Sequence, residues 1–382
     1  MGKQARRAYL EAIRTRYRRA AKAGKTAILN EFCAVCGYHR KYALRLLGQR
    51  KRGNKAARPP GPISRYDTPE VVEVLRTIWL ASDQLCSKRL KAALPLWLPH
   101  YERDGHPLSA HTVALLGSIS AATIDRLLKP IRAKMSRKGL SGTKPGTLLK
   151  KQIPIQTGVW DVAQPGFMEA DTVAHCGDSL AGDFIWSLTM TDLCTGWTEC
   201  RATWNKGSEG VMSQIQSVQK ALPFPLKGFD CDNGSEFLTW HLLRYFQNHK
   251  HPIQFTRSRP YHSNDNAHVE QKNWSCVRQL FGYDRLDHPG MVKLMNDLYA
   301  NEFSLLTNFF YPTLKLESKA RVGSKWVKKH GKPVTPAQRL LDHPTLAISS
   351  KENLSAQINA LNPFLIQKQI QRKLRRIFKL VR

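Results

Sequence analysis

Three acids in the middle of the 382-residue chain stand where carboxylates do chemistry, at the ends of secondary-structure elements. Asp171 lies in the strand-like run Phe167-Met168-Glu169-Ala170-Asp171-Thr172. Asp232 closes a second such run, Phe229-Asp230-Cys231, just before Asn233-Gly234-Ser235-Glu236-Phe237. Glu270 opens a helical stretch after a loop rich in Ser, Asn and Pro, residues 258–266. Paired strands would set Asp171 beside Asp232, and the helix would lay Glu270 across them. Three clustered carboxylates repel one another unless a cation lies between them. Mg2+, a hard ion that prefers oxygen ligands, suits that position and leaves sites for a substrate phosphate and water. Mn2+ is the natural substitute, because carboxylate and water ligands suit it too. Two such ions roughly 3.5–4 Å apart activate an attacking oxygen and stabilise a leaving one. With two metals a histidine base is unnecessary, so His262 and His268 are read as structural or merely polar.

Each acid has a plainer role to weigh. Asp171 could form a strand-end turn, but a carboxylate among Met168, Ala170 and Val173 needs a partner. Asp232-Asn233-Gly234 could be turn chemistry alone. Asp230, two residues earlier on the same strand face, is the rival for the second ligand; Asp232 is preferred because open sheets form their sites at strand ends. Glu236 is read as a first-turn residue favoured by the helix dipole, and Asp192 and Asp265 as turn acids. On the Glu270 helix, Lys272, Asn273 and Arg278 can face DNA, with Lys272 and Arg278 as phosphate contacts, while Trp274 and Val277 pack inward.

The elements that must position these residues follow from periodicity. Residues 167–173, 184–192 and 197–204 read as strands, with Cys194-Thr195-Gly196 as a turn. Val211, Ile215, Val218 and Leu222 share one face of a helix over 211–222. Strands over 226–231 and 253–256 alternate with helices over 237–248 and 267–281. The order β-β-β-α-β-α-β-α predicts a hairpin-led, mixed five-stranded sheet that turns into alternating units.

Charge divides the chain into three. The formal balance is +31, from 60 Lys and Arg against 29 Asp and Glu. It splits into +22 over residues 1–150, −3 over 151–300 and +12 over 301–382. Hydrophobic content of 42% and nine Trp fit a folded protein, so this excess points to a polyanionic partner. Ahead of the acidic middle, Ile28, Leu29, Phe32 and Val35, then Tyr42, Leu44, Leu46 and Leu47, form two short helices broken at Gly37. The second carries Arg40, Lys41 and Arg45, a helix-turn-helix arrangement. Residues 48–66 are a basic linker. Apolar helices follow over 69–81 and 85–98. Residues 109–116 and 120–135 form a second helix-turn-helix candidate, in which Ser120 caps a helix bearing Arg126 and Lys129 and Pro130 could kink it. A polar linker covers 136–151. The tail carries Lys368, Arg372, Lys373, Arg375 and Arg376 around Ile370, Leu374, Ile377 and Phe378, an amphipathic helix expected to meet DNA or a second protomer rather than a membrane surface. Eight scattered cysteines lack framework spacing; Cys33-x-x-Cys36 lacks the further ligands a zinc site needs. No signal peptide or membrane span is legible, so the chain is expected to be cytoplasmic and nucleoid-associated.

Taken together, Ala170-Asp171-Thr172, residues 232–237 and residues 264–273 resemble the three acid motifs of integrase-type DDE transposases, the bacterial insertion-sequence relatives of retroviral integrases. Asn308-Phe309-Phe310-x-Pro312 and Lys332-Pro333-x-Thr335-Pro336 resemble the segment that follows the catalytic core in one branch of that group. The likeness is strong over about 165–345 and architectural before it. It implies helix-turn-helix units at 1–50 and 67–140, linkers at 51–66 and 141–163, an RNase H-like core at 164–300 holding two Mg2+ on Asp171, Asp232 and Glu270, and a basic region at 301–382. It further implies binding to terminal inverted repeats and target DNA, cleavage at element ends, joining of the 3′-hydroxyl, a homodimer or homotetramer on DNA and a helper ATPase in some systems. The 37 residues between Asp232 and Glu270 exceed the usual spacing, and the zinc module of retroviral integrases is absent. Two other classes stand beside this one: an inactive DNA-binding regulator and an RNase H-type nuclease.

Overall fold

The computed structural model describes residues 2–48, 64–133, 163–232, 234–258, 267–322 and 325–381. The linkers at 51–63 and 134–162, and the 259–266 loop with His262, Asn264, Asp265 and Asn266, lie outside the described residues, as does Asn233. The chain divides into two compact units, residues 1–64 and 65–382.

The first unit is three helices, α1 (Lys3–Arg19), α2 (Lys22–Cys36) and α3 (Arg40–Gly48). Its core is Ile13, Ile28, Leu29, Phe32, Cys36, Ala43 and Leu47. Gly37 ends α2 at φ +66°, in the left-handed conformation that a glycine adopts without the clash a Cβ would cause. That turn sets α3 against the first two helices. Arg40, Lys41 and Arg45 all lie on exposed positions, with Arg45 over the Tyr42 ring at 5.0 Å. Of the apolar residues expected inside, Val35, Tyr42 and Leu44 are exposed, because a three-helix unit this small has only one buried face to offer.

In the second unit, α4 (Pro69–Ala81) starts where Thr68 accepts a hydrogen bond from the Val71 amide and Pro69 occupies the first turn. Its Val71, Val74, Leu75 and Ile78 recur at helical spacing and are all buried. α5 (Ser87–Arg103), α6 (Ala110–Ser118) and α7 (Ala121–Ala133) pack with it. Ser120 Oγ accepts from the Thr123 amide at 3.1 Å, the expected cap.

The sheet follows: β1 (Phe167–Ala174), β2 (Ile185–Asp192), β3 (Thr198–Trp204), β4 (Gly228–Cys231) and β5 (Gln254–Arg257), in spatial order β3-β2-β1-β4-β5. β2 alone runs against the rest; β1, β4 and β5 are parallel neighbours. α8 (Ser208–Ala221) and α9 (Trp240–Gln247) join the parallel strands and cover one face. There Met168, Ala170, Phe229 and Cys231 meet Val211, Ile215, Val218 and Phe246. Phe229 lies 5.1 Å from Phe246 and 5.8 Å from Phe255, ring centre to ring centre, which anchors β4 from below.

α10 (Ala267–Lys272) crosses the other face, continues as a wider π-helical run, Asn273–Arg278, and ends in α11 (Gln279–Phe281). α12 (Gly290–Leu298) and two further π-helical runs, Tyr299–Phe303 and Leu306–Phe310, lead to an exposed hairpin of β6 (Leu316–Val322) and β7 (Lys325–His330). α13 (Pro336–Leu341), α14 (Ile348–Ala360) and α15 (Pro363–Phe378) close the chain.

The apolar stripe of α15, Ile366, Ile370, Leu374 and Ile377, joins one core with α4, α5, the π-helical runs and the outer end of the sheet. The tail's apolar face is therefore covered by the chain itself, not by a membrane or a second protomer. Its exposed side carries Lys368, Arg372, Arg375 and Arg376. Among the described residues no helix is long and apolar enough to cross a membrane.

Candidate active site

β1 and β4 pair in parallel with Glu169 opposite Asp230 and Ala170 opposite Cys231. The ladder ends at that pair, with Asp171 one residue further along β1 and Asp232 directly after β4. Side chains alternate with a period of two, so Glu169 and Asp171 on β1 and Asp230 on β4 belong to the face that α10 crosses. Two ranks of acid result. The inner rank is deep: Glu169 is 3% exposed and Asp230 fully buried. Each is tied to a neighbouring element, Glu169 Oε2 accepting from the Val269 amide at 3.2 Å and Asp230 Oδ1 from Thr256 Oγ1 at 2.5 Å. In the outer rank, Asp171 sits within β1, three residues short of its end rather than at it as expected, and Asp232 directly follows β4.

Asp171 is half-buried. Its Oδ1 accepts from the Thr172 amide at 2.8 Å and its Oδ2 from Asn273 Nδ2 at 2.5 Å. Asp232 Oδ1 accepts from the Gly234 amide at 2.9 Å, which pins it in the turn after β4. Burial pushes the Asp232 carboxyl pKa up and the charge of Glu236 pushes it further, with the Gly234 amide and Lys206 opposing.

Position 270 enters through its backbone. Val269, on one side of it, donates its amide to Glu169, and Asn273, one helical turn on, donates to Asp171. Residue 270 thus sits on a helix fastened to the acid strand at both flanks.

Glu236 differs from its expected role. It precedes α9, which begins only at Trp240 behind a Thr239 cap, and it is 2% exposed. Lys206 Nζ lies 2.9 Å from its Oε1, and Thr172 Oγ1 donates to the same oxygen at 2.7 Å. A buried ion pair across the sheet edge has replaced a dipole contact, because the turn after Asp232 folds the carboxylate inward. Gly234 makes room for it: a Cβ there would come within 2.5 Å of Glu236 Oε2. Asp192 is the turn acid it was expected to be, accepting from the amides of Gly166 and Thr195 at 2.8 and 2.7 Å.

The outward residues of the helix also fall differently. Trp274 is 60% exposed, whereas Lys272 turns inward, its Nζ 3.5 Å from the Gly196 carbonyl. Arg278 stacks over Tyr283 at 4.9 Å and donates to the Ala174 carbonyl at 2.9 Å. Val277 is buried as expected. For Trp274 the π-helical run explains the shift: hydrogen bonds spanning five residues widen the turn, and a wheel drawn at 3.6 residues loses register from Asn273 onward, whereas Lys272 precedes that run. Arg126 and Lys129 lie on exposed positions of α7, Arg126 donating to Thr123 Oγ1 at 3.0 Å.

Asn273 and the Lys206–Glu236–Thr172 brace are the contributors the sequence concealed. Asn273 had a signal in its spacing from Glu270; Lys206 had none, since it lies 30 positions before its partner.

The donor set around the outer acids suits a hard cation. It is made of oxygens, and two buried ones beside it, Glu236 Oε2 and Asn273 Oδ1, have no hydrogen-bond partner. Among the described residues no three His, Cys, Asp or Glu side chains form a ready metal site, so Asp171 and Asp232 offer two donors and a third must come from beyond them.

The fold and site define an α/β protein with a mixed sheet and acids on and just after its two central parallel strands. No protein-family model matches the chain. It is 40% identical over 337 residues to the uncharacterized protein y4rM of Sinorhizobium fredii (strain NBRC 101917 / NGR234), over 86% of this chain and 93% of that protein, and it belongs to the same family. Among solved structures, it matches a chain of the simian T-cell lymphotropic virus intasome in complex with PP2A regulatory subunit B56 gamma, at 13% identity over 56% of this chain and 68% of that one. The TM-score is 0.30, too low to carry any argument.

Proposed function

We propose that the chain is an integrase-type DDE transposase, which binds the terminal repeats of a mobile element, cleaves DNA at its ends and joins the freed 3′-hydroxyl to target DNA. The observation that supports this reading is the parallel pairing of β1 with β4, the strands that carry Asp171 and lead into Asp232, beneath a helix fastened at both flanks of position 270. The sheet order, with only the second strand reversed, supports an RNase H-like core.

Asp171, Asp232 and Glu270 would hold two Mg2+. When bound, the ions supply a lowered pKa for the attacking oxygen and charge neutralisation for the leaving one. The chain's own part is positioning. Asn273 and the Thr172 amide fix both oxygens of Asp171, and Gly234 fixes Asp232. The inner acids tie α10 and β5 to the strands beneath. In cleavage, water forms a new bond to phosphorus while the bond to the 3′-oxygen breaks and that oxygen takes up a proton. In joining, the 3′-hydroxyl loses its proton, bonds to a target phosphorus, and a target 3′-oxygen leaves. Helices α2 and α3, with Arg40, Lys41 and Arg45, and α7, with Arg126 and Lys129, are the proposed DNA-holding elements.

Replacing Asp232 by Asn keeps the shape and removes the charge. The variant is expected to bind the DNA flanking its gene as the parent does and to lose cleavage and joining together. Strand transfer by Asp232→Asn with Mg2+ would refute the assignment; binding by the parent with no metal-dependent product would favour an inactive regulator.

A further inference from the structure

A cavity of about 510 Å3 lies on the far side of the active-site helix, between the end of α4, the start of α5, the end of α7 and the last π-helical run. It is lined by Trp79, Arg89, Arg132, Lys272, Cys276 and Thr307 among others. Its donors outnumber its acceptors. Trp79 and Thr307 are 2% and 4% exposed, yet Trp79 Nε1 and Thr307 Oγ1 have no hydrogen-bond partner. Arg132 Nη2 is likewise unpartnered, although Nη1 of the same group pairs with Asp125 and the guanidinium sits 5.6 Å over the Trp79 ring.

Two further cations, half-buried, meet carbonyls here rather than a carboxylate: Arg89 Nε donates to the Pro312 carbonyl at 2.6 Å, and Lys272 Nζ lies 3.5 Å from the Gly196 carbonyl. A buried charge without a counter-ion is costly, and a guanidinium cannot shed its proton to escape the cost. Asp83 also borders the cavity, but its oxygens accept from Tyr311 and Gln367, and burial drives its carboxyl toward the neutral form. The Cys276 thiol is pulled down chiefly by its hydrogen bond with Cys200, against burial, which raises it.

We propose that this cavity binds a phosphoryl group. Several donors converge from separate elements beside an excess of positive charge, which suits a tetrahedral, multiply charged oxyanion better than a carboxylate with two oxygens. The source is either a free phosphate compound or a phosphate of the DNA backbone. The inference rests on the cavity alone and not on the chemistry proposed for Asp171 and Asp232.

The test is thermal unfolding of the full chain, first with inorganic phosphate replacing chloride at constant ionic strength, then with a short duplex DNA. A saturable rise in Tm with phosphate identifies a free compound as the source. A rise with DNA alone, paired with a loss of about 0.9 from the slope of log affinity against log salt in Lys272→Met, identifies the backbone. In either case Lys272→Met is expected to raise the Tm of the ligand-free chain while losing the ligand-dependent rise. Thr307→Val, which keeps the shape and the charge, is expected to weaken the same rise. The proposal is overturned if phosphate leaves Tm unmoved and both variants respond to DNA as the parent does.

Discussion

At the residue scale, Asp232 is held against its own charge. Its folded-state pKa is raised by burial and by Glu236. A raised carboxyl pKa means that the folded chain binds the proton more tightly than the unfolded one. The associated stability is complete below the ordinary carboxylate range and is lost as pH rises through the folded value. In EDTA at neutral pH, Asp232→Asn should therefore melt at a higher temperature than the parent, and the parent should gain more than the variant from added Mg2+. A lower Tm for the variant would show that the carboxylate is satisfied without a cation. His175 has the opposite sign. Fully buried and pulled down to about 3 by desolvation and by Arg278, it contributes stability above its ordinary 6.5 that is lost as pH falls toward 3. His175→Gln should flatten the acid limb of a stability–pH curve measured by urea unfolding. An unchanged limb would locate the acid sensitivity elsewhere.

At the element scale, α15 is the tail of the sequence but part of the central core. Ile370 is 1% exposed, so Ile370→Ala should cost about 2–5 kcal/mol in chemical unfolding; a loss below 1 kcal/mol would mean that the helix docks only loosely. The sequence announced this helix by its period and could not say what covers it, because periodicity reports that a face is buried and not against what. The strands were legible for a better reason. Asp171 lies within, and Asp232 directly after, runs that only a sheet buries on both sides. Glu236 and Lys272 were misread where local rules yield to tertiary ones. The first is drawn inward by a lysine 30 positions away, and the second turns toward the Gly196 carbonyl, a contact 76 positions away in the chain.

At the scale of the whole molecule, the distribution of charge matches the division of labour proposed for it. The middle third is net acidic and carries the two ranks of carboxylates, while the basic thirds contribute α3, α7 and the exposed side of α15. If those elements grip DNA through 6–10 phosphates, affinity should fall by about three to five decades between 50 and 200 mM salt, as read by fluorescence anisotropy. A flat response would remove the basis for every basic contact named above. The central claim, that Asp171 and Asp232 serve to cut and join DNA, is tested most directly by incubating the purified chain with a labelled duplex of the DNA flanking its gene and an unlabelled target. With Mg2+ the label should appear first in a nicked end carrying a 3′-hydroxyl and then joined to the target, and with EDTA in neither. Products that form equally in EDTA, or that persist when Asp171 and Asp232 are both replaced by Asn, would contradict it.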